Sequence, residues 1–98
     1  SYIAANGSAI VHRGEILYWY QAGDPVRIAL ARSNDGVNWK RHSAAVLDTG
    51  PRGSWDERGV ADPYVIAAEG RLVMYYLGVD RARRQRLGVA ISDDGVTW

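Results

Sequence analysis

Two short stretches, Ile16-Leu17-Tyr18-Trp19-Tyr20 and Leu72-Val73-Met74-Tyr75-Tyr76, are apolar or aromatic at every position. A strand that is apolar on both sides is usually covered on both faces, so these runs predict buried middle strands. They are too short and too rich in β-formers to be buried helices. Around them, short apolar runs alternate with Gly-containing turns, and no segment sustains a 3.6-residue period. Strands are expected at Ala9–His12, Ile16–Gln21, Arg27–Arg32 and Ala44–Leu47, and again at Tyr64–Ala67, Leu72–Leu77 and Arg86–Ile91. Turns at Arg13-Gly14, Gly23-Asp24-Pro25, Asn34-Asp35-Gly36 and Glu69-Gly70 separate them, built from residues that tolerate positive φ. The expected fold class is all-β.

The pattern occurs twice. Gly14–Tyr20 aligns with Gly70–Tyr76 at an offset of 56, and Arg27–Trp39 with Arg86–Trp98 at an offset of 59. The difference falls in the loop between Tyr20 and Arg27, which is longer in the second copy, as a tolerant surface turn allows. A four-stranded antiparallel unit recurring at this spacing suits a β-propeller blade. The chain divides into a first blade at about residues 1–50 and a second, incomplete blade at 51–98. The second copy reaches Trp98 before a fourth strand, which leaves an unpaired edge that needs cover. Homo-oligomerisation is the expected cover, and three copies closing a six-bladed ring is one arrangement. The segment Ser1–Ala5 is a candidate for pairing with the open edge of another copy.

Composition narrows the function classes. Twelve Lys and Arg face eleven Asp and Glu, so the basic footprint of a nucleic-acid binder is missing. The run Arg81-Ala82-Arg83-Arg84-Gln85-Arg86 reads as a solvated loop. No apolar run approaches the ~20 residues of a membrane-spanning helix. Cysteine is absent, and His12 and His42 stand far apart, so no metal site or cofactor is expected. No signal-peptide pattern is visible at Ser1, and the compartment stays unassigned.

Two motifs carry the candidate chemistry. Ser-x-Asp-Gly-x-x-Trp occurs at Ser33–Trp39 and Ser92–Trp98. Its aspartate is expected to accept turn amides, its glycine to take positive φ and its tryptophan to pack over the hairpin, a structural role. The second segment, Trp55-Asp56-Glu57-Arg58-Gly59-Val60-Ala61-Asp62-Pro63-Tyr64-Val65, is expected to lead into an innermost strand, with Asp62 immediately before it.

Asp62-Pro63, the Gly turns, the Tyr-rich strands and the repeated Ser-x-Asp-Gly-x-x-Trp turn together resemble the five-bladed propeller glycoside hydrolases of families 43 and 32, the arabinanase, xylosidase and invertase group. The turn motif itself resembles the sialidase Asp-box, one residue shorter. The resemblance implies a site of three carboxylates from successive blades, acting on furanoside or xyloside linkages, with Asp62 at one of the aspartate positions. Trp55 becomes a sugar-stacking candidate, and Asp56, Glu57 and Tyr64 become substrate-binding candidates. A ring of copies would gather several Asp62 side chains near one axis, where like charges raise one another's pKa and can hold a cation.

The chain departs from that pattern. At the offset of 56, Asn6-Gly7-Ser8 stands where Asp62-Pro63-Tyr64 stands, and an amide serves as neither acid nor base. Glu15 and Glu69 lie in hairpin turns and do not match the expected glutamate acid. Most glycosidases need two carboxylates flanking the bond. The isolated chain is therefore expected to be catalytically incompetent: a glycosidase-like fragment, or alternatively an oligomeric carbohydrate-binding module or a structural relic without ligand.

Overall fold

The computed structural model describes residues 5–98. Residues 1–4, on which most of the proposed edge-pairing segment falls, lie outside them. Seven strands form two antiparallel meanders. The first sheet runs β1 (Ala5–His12), β2 (Glu15–Ala22), β3 (Arg27–Ser33), β4 (Lys40–Arg41); the second runs β5 (Gly59–Ala68), β6 (Arg71–Val79), β7 (Gln85–Ser92). The described residues contain no helix. The all-β expectation holds, with sheets of four and three strands.

The repeat is visible in the backbone. The β1–β2 hairpin turns at Arg13 (φ 53) and Gly14 (φ 80), and the β5–β6 hairpin at Glu69 (φ 51) and Gly70 (φ 80). Positive φ at both central residues is the two-residue turn that matches the twist of paired strands. Each hairpin also slips its register once, between Ala5 and Ser8 in β1 and between Ala61 and Tyr64 in β5. These slips stand at the same offset of 56 and mark a shared β-bulge.

The sequence expectations need two corrections. The fourth strand expected at Ala44–Leu47 is split: Lys40 and Arg41 pair with Arg32 and Ala31, and the chain leaves and returns at Leu47, which bridges Ile28. The N–H of Val46 donates to Ile28 O at 2.9 Å, and Ile28 N–H donates to Leu47 O at 3.0 Å. Only Val46 and Leu47 are half-buried there, whereas Ala44 and Ala45, with a single methyl group each, are exposed. The middle strands, expected to be covered on both faces, alternate fully in β6 and only partly in β2, where the neighbouring Trp19 and Tyr20 are both buried. In β6, Leu72, Met74 and Tyr76 are buried, while Val73, Tyr75 and Leu77 are half-buried. Each sheet meets the other on one face only.

That shared layer is the core. Leu17, Trp19, Ile28 and Leu30 of the first sheet pack with Val65, Leu72, Met74 and Tyr76 of the second. A fully buried Leu, Ile or Met contributes roughly 1.5–3 kcal/mol. Two of the hydrogen bonds between the sheets flank this core. The Trp19 indole donates to Gly95 O at 2.9 Å, and Val65 N–H donates to Ser8 Oγ at 3.1 Å. The second bond ties β1 to β5, which lie side by side as the innermost strands.

Candidate functional site

β5 is anchored at its start by the first sheet. Val60 N–H donates to Val26 O at 2.9 Å, and Gly59 forms a parallel bridge with Val26. Asp62 follows two residues later. It lies inside β5 and not before it, because pairing with β6 already begins at Gly59 opposite Val79 and continues through Ala61 opposite Leu77. The bulge then interrupts the ladder at Asp62-Pro63, which accommodates a proline that cannot donate.

Asp62 adopts φ 52, the left-handed region, directly before a proline. Aspartate tolerates this conformation better than most residues, yet it is costly for a side chain with a Cβ. Its N–H donates to Gln21 Oε1 at 3.0 Å, from the end of β2. Backbone held in a rare conformation by a neighbouring element is a feature of functional sites. The result is an exposed carboxylate on a fixed bulge of an innermost strand. Tyr64, next but one, is 63% exposed on the outer face of the second sheet, opposite Tyr75. In the first sheet the equivalent bulge carries Asn6-Gly7, so the acid has no counterpart there. A Cβ on Gly7 would collide with the ring of Tyr18.

The other candidates serve the preceding loop. Asp56 Oδ1 accepts from Ser54 Oγ at 3.0 Å, and Glu57 Oε1 accepts from Gly53 N–H at 3.1 Å. Trp55 stacks on Tyr76, with centroids 5.9 Å apart and planes 25° apart. It lies where Gly78 and Gly88 leave room; a Cβ at either would strike its ring. Trp55 thus packs on the second sheet, with its remaining surface lining an open groove of about 510 Å³ alongside Glu57, Asp80, Arg81, Arg84 and Arg86. Burial, with the charge of Asp56 second, pushes the Tyr76 phenol up.

Asp80 organises the β6–β7 loop, accepting N–H bonds from Ala82 and Arg84 at 2.9 Å each and from Arg84 Nε at 3.1 Å. The Arg84 backbone N–H above all, together with the Arg84 charge and the Ala82 N–H, holds its carboxyl below the usual range. Among the described residues, no group of three or more His, Cys, Asp or Glu side chains converges to hold a metal. The Asp-Gly turns behave as structural motifs. Asp35 Oδ1 accepts from Val37 and Asn38 N–H at 2.8 Å, and Asp94 Oδ1 from Val96 and Thr97 N–H at 2.9 Å. Sequence reasoning missed Gln21; its only signal was a polar residue closing an apolar strand.

Comparison with known proteins adds a family. A profile of glycoside hydrolase family 130, described as β-1,4-mannooligosaccharide phosphorylase, matches residues 3–98. An uncharacterized protein of Mycobacterium tuberculosis is 34% identical over 87 residues, covering 87% of this chain and 27% of that protein. A proposed glycoside hydrolase from Bacteroides ovatus superposes with a TM-score of 0.84 at 35% identity, over 95% of this chain and 29% of that one. A family 130 structure, reported with glycoside hydrolases that target β-1,2 mannosidic linkages in Candida mannan, gives a TM-score of 0.76 at 29% identity, over 95% and 29% of the two chains. The chain therefore spans between a quarter and a third of the length of the proteins it matches. Likeness to family 43 is one of fold: a thermostable member superposes with a TM-score of 0.80 at 16% identity, over 95% of this chain and 30% of its own.

Proposed function

The chain belongs to glycoside hydrolase family 130, the β-1,4-mannooligosaccharide phosphorylase family, and from this we propose that it forms the Asp62 side of a propeller site that cleaves β-mannosidic linkages. The observation that carries this reading is the exposed Asp62 carboxylate on a bulge of an innermost strand, held at left-handed φ by Gln21. Asp62 acts as general acid, giving its proton to the glycosidic oxygen as the bond from that oxygen to the sugar C1 breaks.

The family favours mannosides over the furanosides and xylosides implied by a family 43 likeness. It also changes what the single carboxylate means. Hydrolysis by two carboxylates needs a second group to activate water or attack C1. Phosphorolysis does not, because inorganic phosphate brings its own nucleophilic oxygen and leaves as the sugar 1-phosphate. One protein acid then suffices, provided that the phosphate is held elsewhere in the propeller. This chain, with Asn6 in place of a second acid, is incompetent by itself. Tyr64, near Asp62 on the same strand, is a sugar-facing candidate.

The test is incubation of the 98-residue chain with β-1,4-mannobiose and phosphate, with product analysis and amide NMR in parallel. The expected result is no mannose 1-phosphate, with shifts confined to amides around Asp62, Tyr64 and Gln21. Sugar-phosphate release would overturn the incompetence of the isolated chain. Absence of any shift near Asp62 would count against the site.

A further inference from the structure

The β6–β7 loop is three residues longer than its counterpart between β2 and β3, since the offset between the two copies grows from 56 to 59 across it. The repeated fold does not need that extra length, and surface loops of this kind carry function. Its arginine run, expected from sequence to be a solvated loop, gives Arg81, Arg84 and Arg86 to one wall of the groove of about 510 Å³. The loop that leads into β5 gives Trp55 and Glu57 to the other wall.

Both walls are loops that connect strands of this chain. Trp55 sits over Gly78 of β6 and Gly88 of β7, on the face of the second sheet that meets the first. The groove therefore belongs to neither outer face. It also lies outward of β5, the innermost strand of that sheet, so it stands apart from the Asp62 bulge.

The arginine wall has a fixed backbone. Asp80 N–H donates to Arg84 O at 3.1 Å, and Arg83 N–H donates to Asp80 O at 2.9 Å. The Asp80 carboxylate is engaged inside the loop, by the Ala82 and Arg84 amides and by Arg84 Nε. Arg81 is exposed and makes no hydrogen bond or ion pair among the described residues. A loop already ordered loses little freedom when a ligand arrives.

Three kinds of group thus line one groove. Trp55 has one ring face on Tyr76, and its remaining apolar surface suits the C–H face of a sugar ring. Glu57 accepts from Gly53 N–H and keeps acceptor sites for hydroxyls. The Arg81 guanidinium matches a carboxylate in a two-bond fork. An inorganic anion would use the arginine alone, and a neutral sugar would leave it unpaired. A sugar that bears a carboxylate uses all three.

We propose that this groove is a second saccharide site, which binds a hexuronic acid residue with its carboxylate on Arg81, its hydroxyls on Glu57 and its ring on Trp55. This goes beyond the mannoside reading and stands independently of it.

The test is an NMR titration of the chain with the methyl glycosides of glucuronic, galacturonic and mannuronic acid, each beside its neutral hexoside, and with inorganic phosphate. The expected result is a saturable shift of the Trp55 indole N–H and the Arg81 and Arg84 amides with at least one uronoside. Its affinity should exceed that of the neutral counterpart by about tenfold and fall as salt is raised. Arg81→Ala is expected to remove that preference while leaving the Asp62 amide where it was; Arg81→Gln replaces it should that variant fail to fold. No shift at Trp55 with any uronoside, equal binding of every uronoside and its neutral hexoside, or an Arg81 variant that keeps the preference would overturn the proposal. Phosphate binding as tight as that of the uronosides, with the Trp55 indole unmoved, would make the groove an anion site only and overturn it as well.

Discussion

Trp19 and Gly95, 76 residues apart, join the two sheets through one buried hydrogen bond: the indole N–H donates to the glycine carbonyl at 2.9 Å. Trp19 is fully buried, and its ring meets Trp98 edge-on at 5.8 Å. The turn that looked purely local in sequence therefore also closes the interface between sheets. Gly95 O accepts from Trp98 as well, so the carbonyl is not orphaned when Trp19 changes. Trp19→Phe is expected to cost about 1–2 kcal/mol, and Trp19→Ala about 3–5 kcal/mol, measured by denaturant unfolding. A neutral Trp19→Phe would refute a separate hydrogen-bond contribution.

Ser8 is the matching tie between the innermost strands. Ser8→Ala leaves the N–H of buried Val65 without its acceptor. The expected cost is about 1–3 kcal/mol, and amide exchange at Val65 should accelerate. A neutral Ser8→Ala would mean that water or a backbone shift satisfies Val65.

Gly88→Ala tests the seat of Trp55. The new Cβ would lie 2.5 Å from Trp55 Cη2 and 2.6 Å from Tyr76 Cζ. Overpacking of this kind costs about 1–3 kcal/mol. Trp55 is expected to be displaced, visible as a changed tryptophan emission spectrum. Unchanged emission with full stability would show that Trp55 is not held against this sheet.

Acid should weaken the Asp-Gly turns. The Thr97 and Val96 amides hold the Asp94 carboxyl below its ordinary value of 3.8, and the Asn38 and Val37 amides do the same for Asp35. A folded value below the unfolded one means that stability is present above about 3.9 and is lost as pH falls through the lower folded value. Thermal melts are expected to fall below about pH 4, with a shallower fall in the Asp35→Asn, Asp94→Asn double variant. An identical acid slope in that variant would assign the effect to other carboxylates.

Asp62 should trade stability against function. Asp62→Gly removes a Cβ from the left-handed region and is expected to stabilise the fold by up to about 1 kcal/mol, while abolishing sugar binding. A destabilised Asp62→Gly would assign the aspartate a structural role instead.

The sequence made much of the fold legible. The doubled Gly14–Tyr20 and Gly70–Tyr76 pattern located both meanders, and the paired Asp-Gly turns were read correctly down to the amides that their aspartates accept. What escaped it was long-range. That Asp62 sits inside β5 depends on Gly59 pairing with Val79 and bridging Val26, neither of which local pattern predicts. The seat of Trp55 depends on Gly78 and Gly88, whose missing side chains leave room for a ring that arrives from a distant loop. The split of the fourth strand turned on which of four small residues has anything to bury. Asp-Pro singled out Asp62 as a candidate, while the family to which the chain belongs is 130, where the sequence resemblance pointed to 43 and 32.

Calorimetric titration of β-1,4-mannooligosaccharide into the chain and into Asp62→Asn, which also tolerates left-handed φ, tests the role of Asp62 most directly. Saturable binding by the chain, lost in Asp62→Asn while thermal unfolding is unchanged, is the expected result. Equal binding by both would contradict it and move the sugar site away from the bulge of β5.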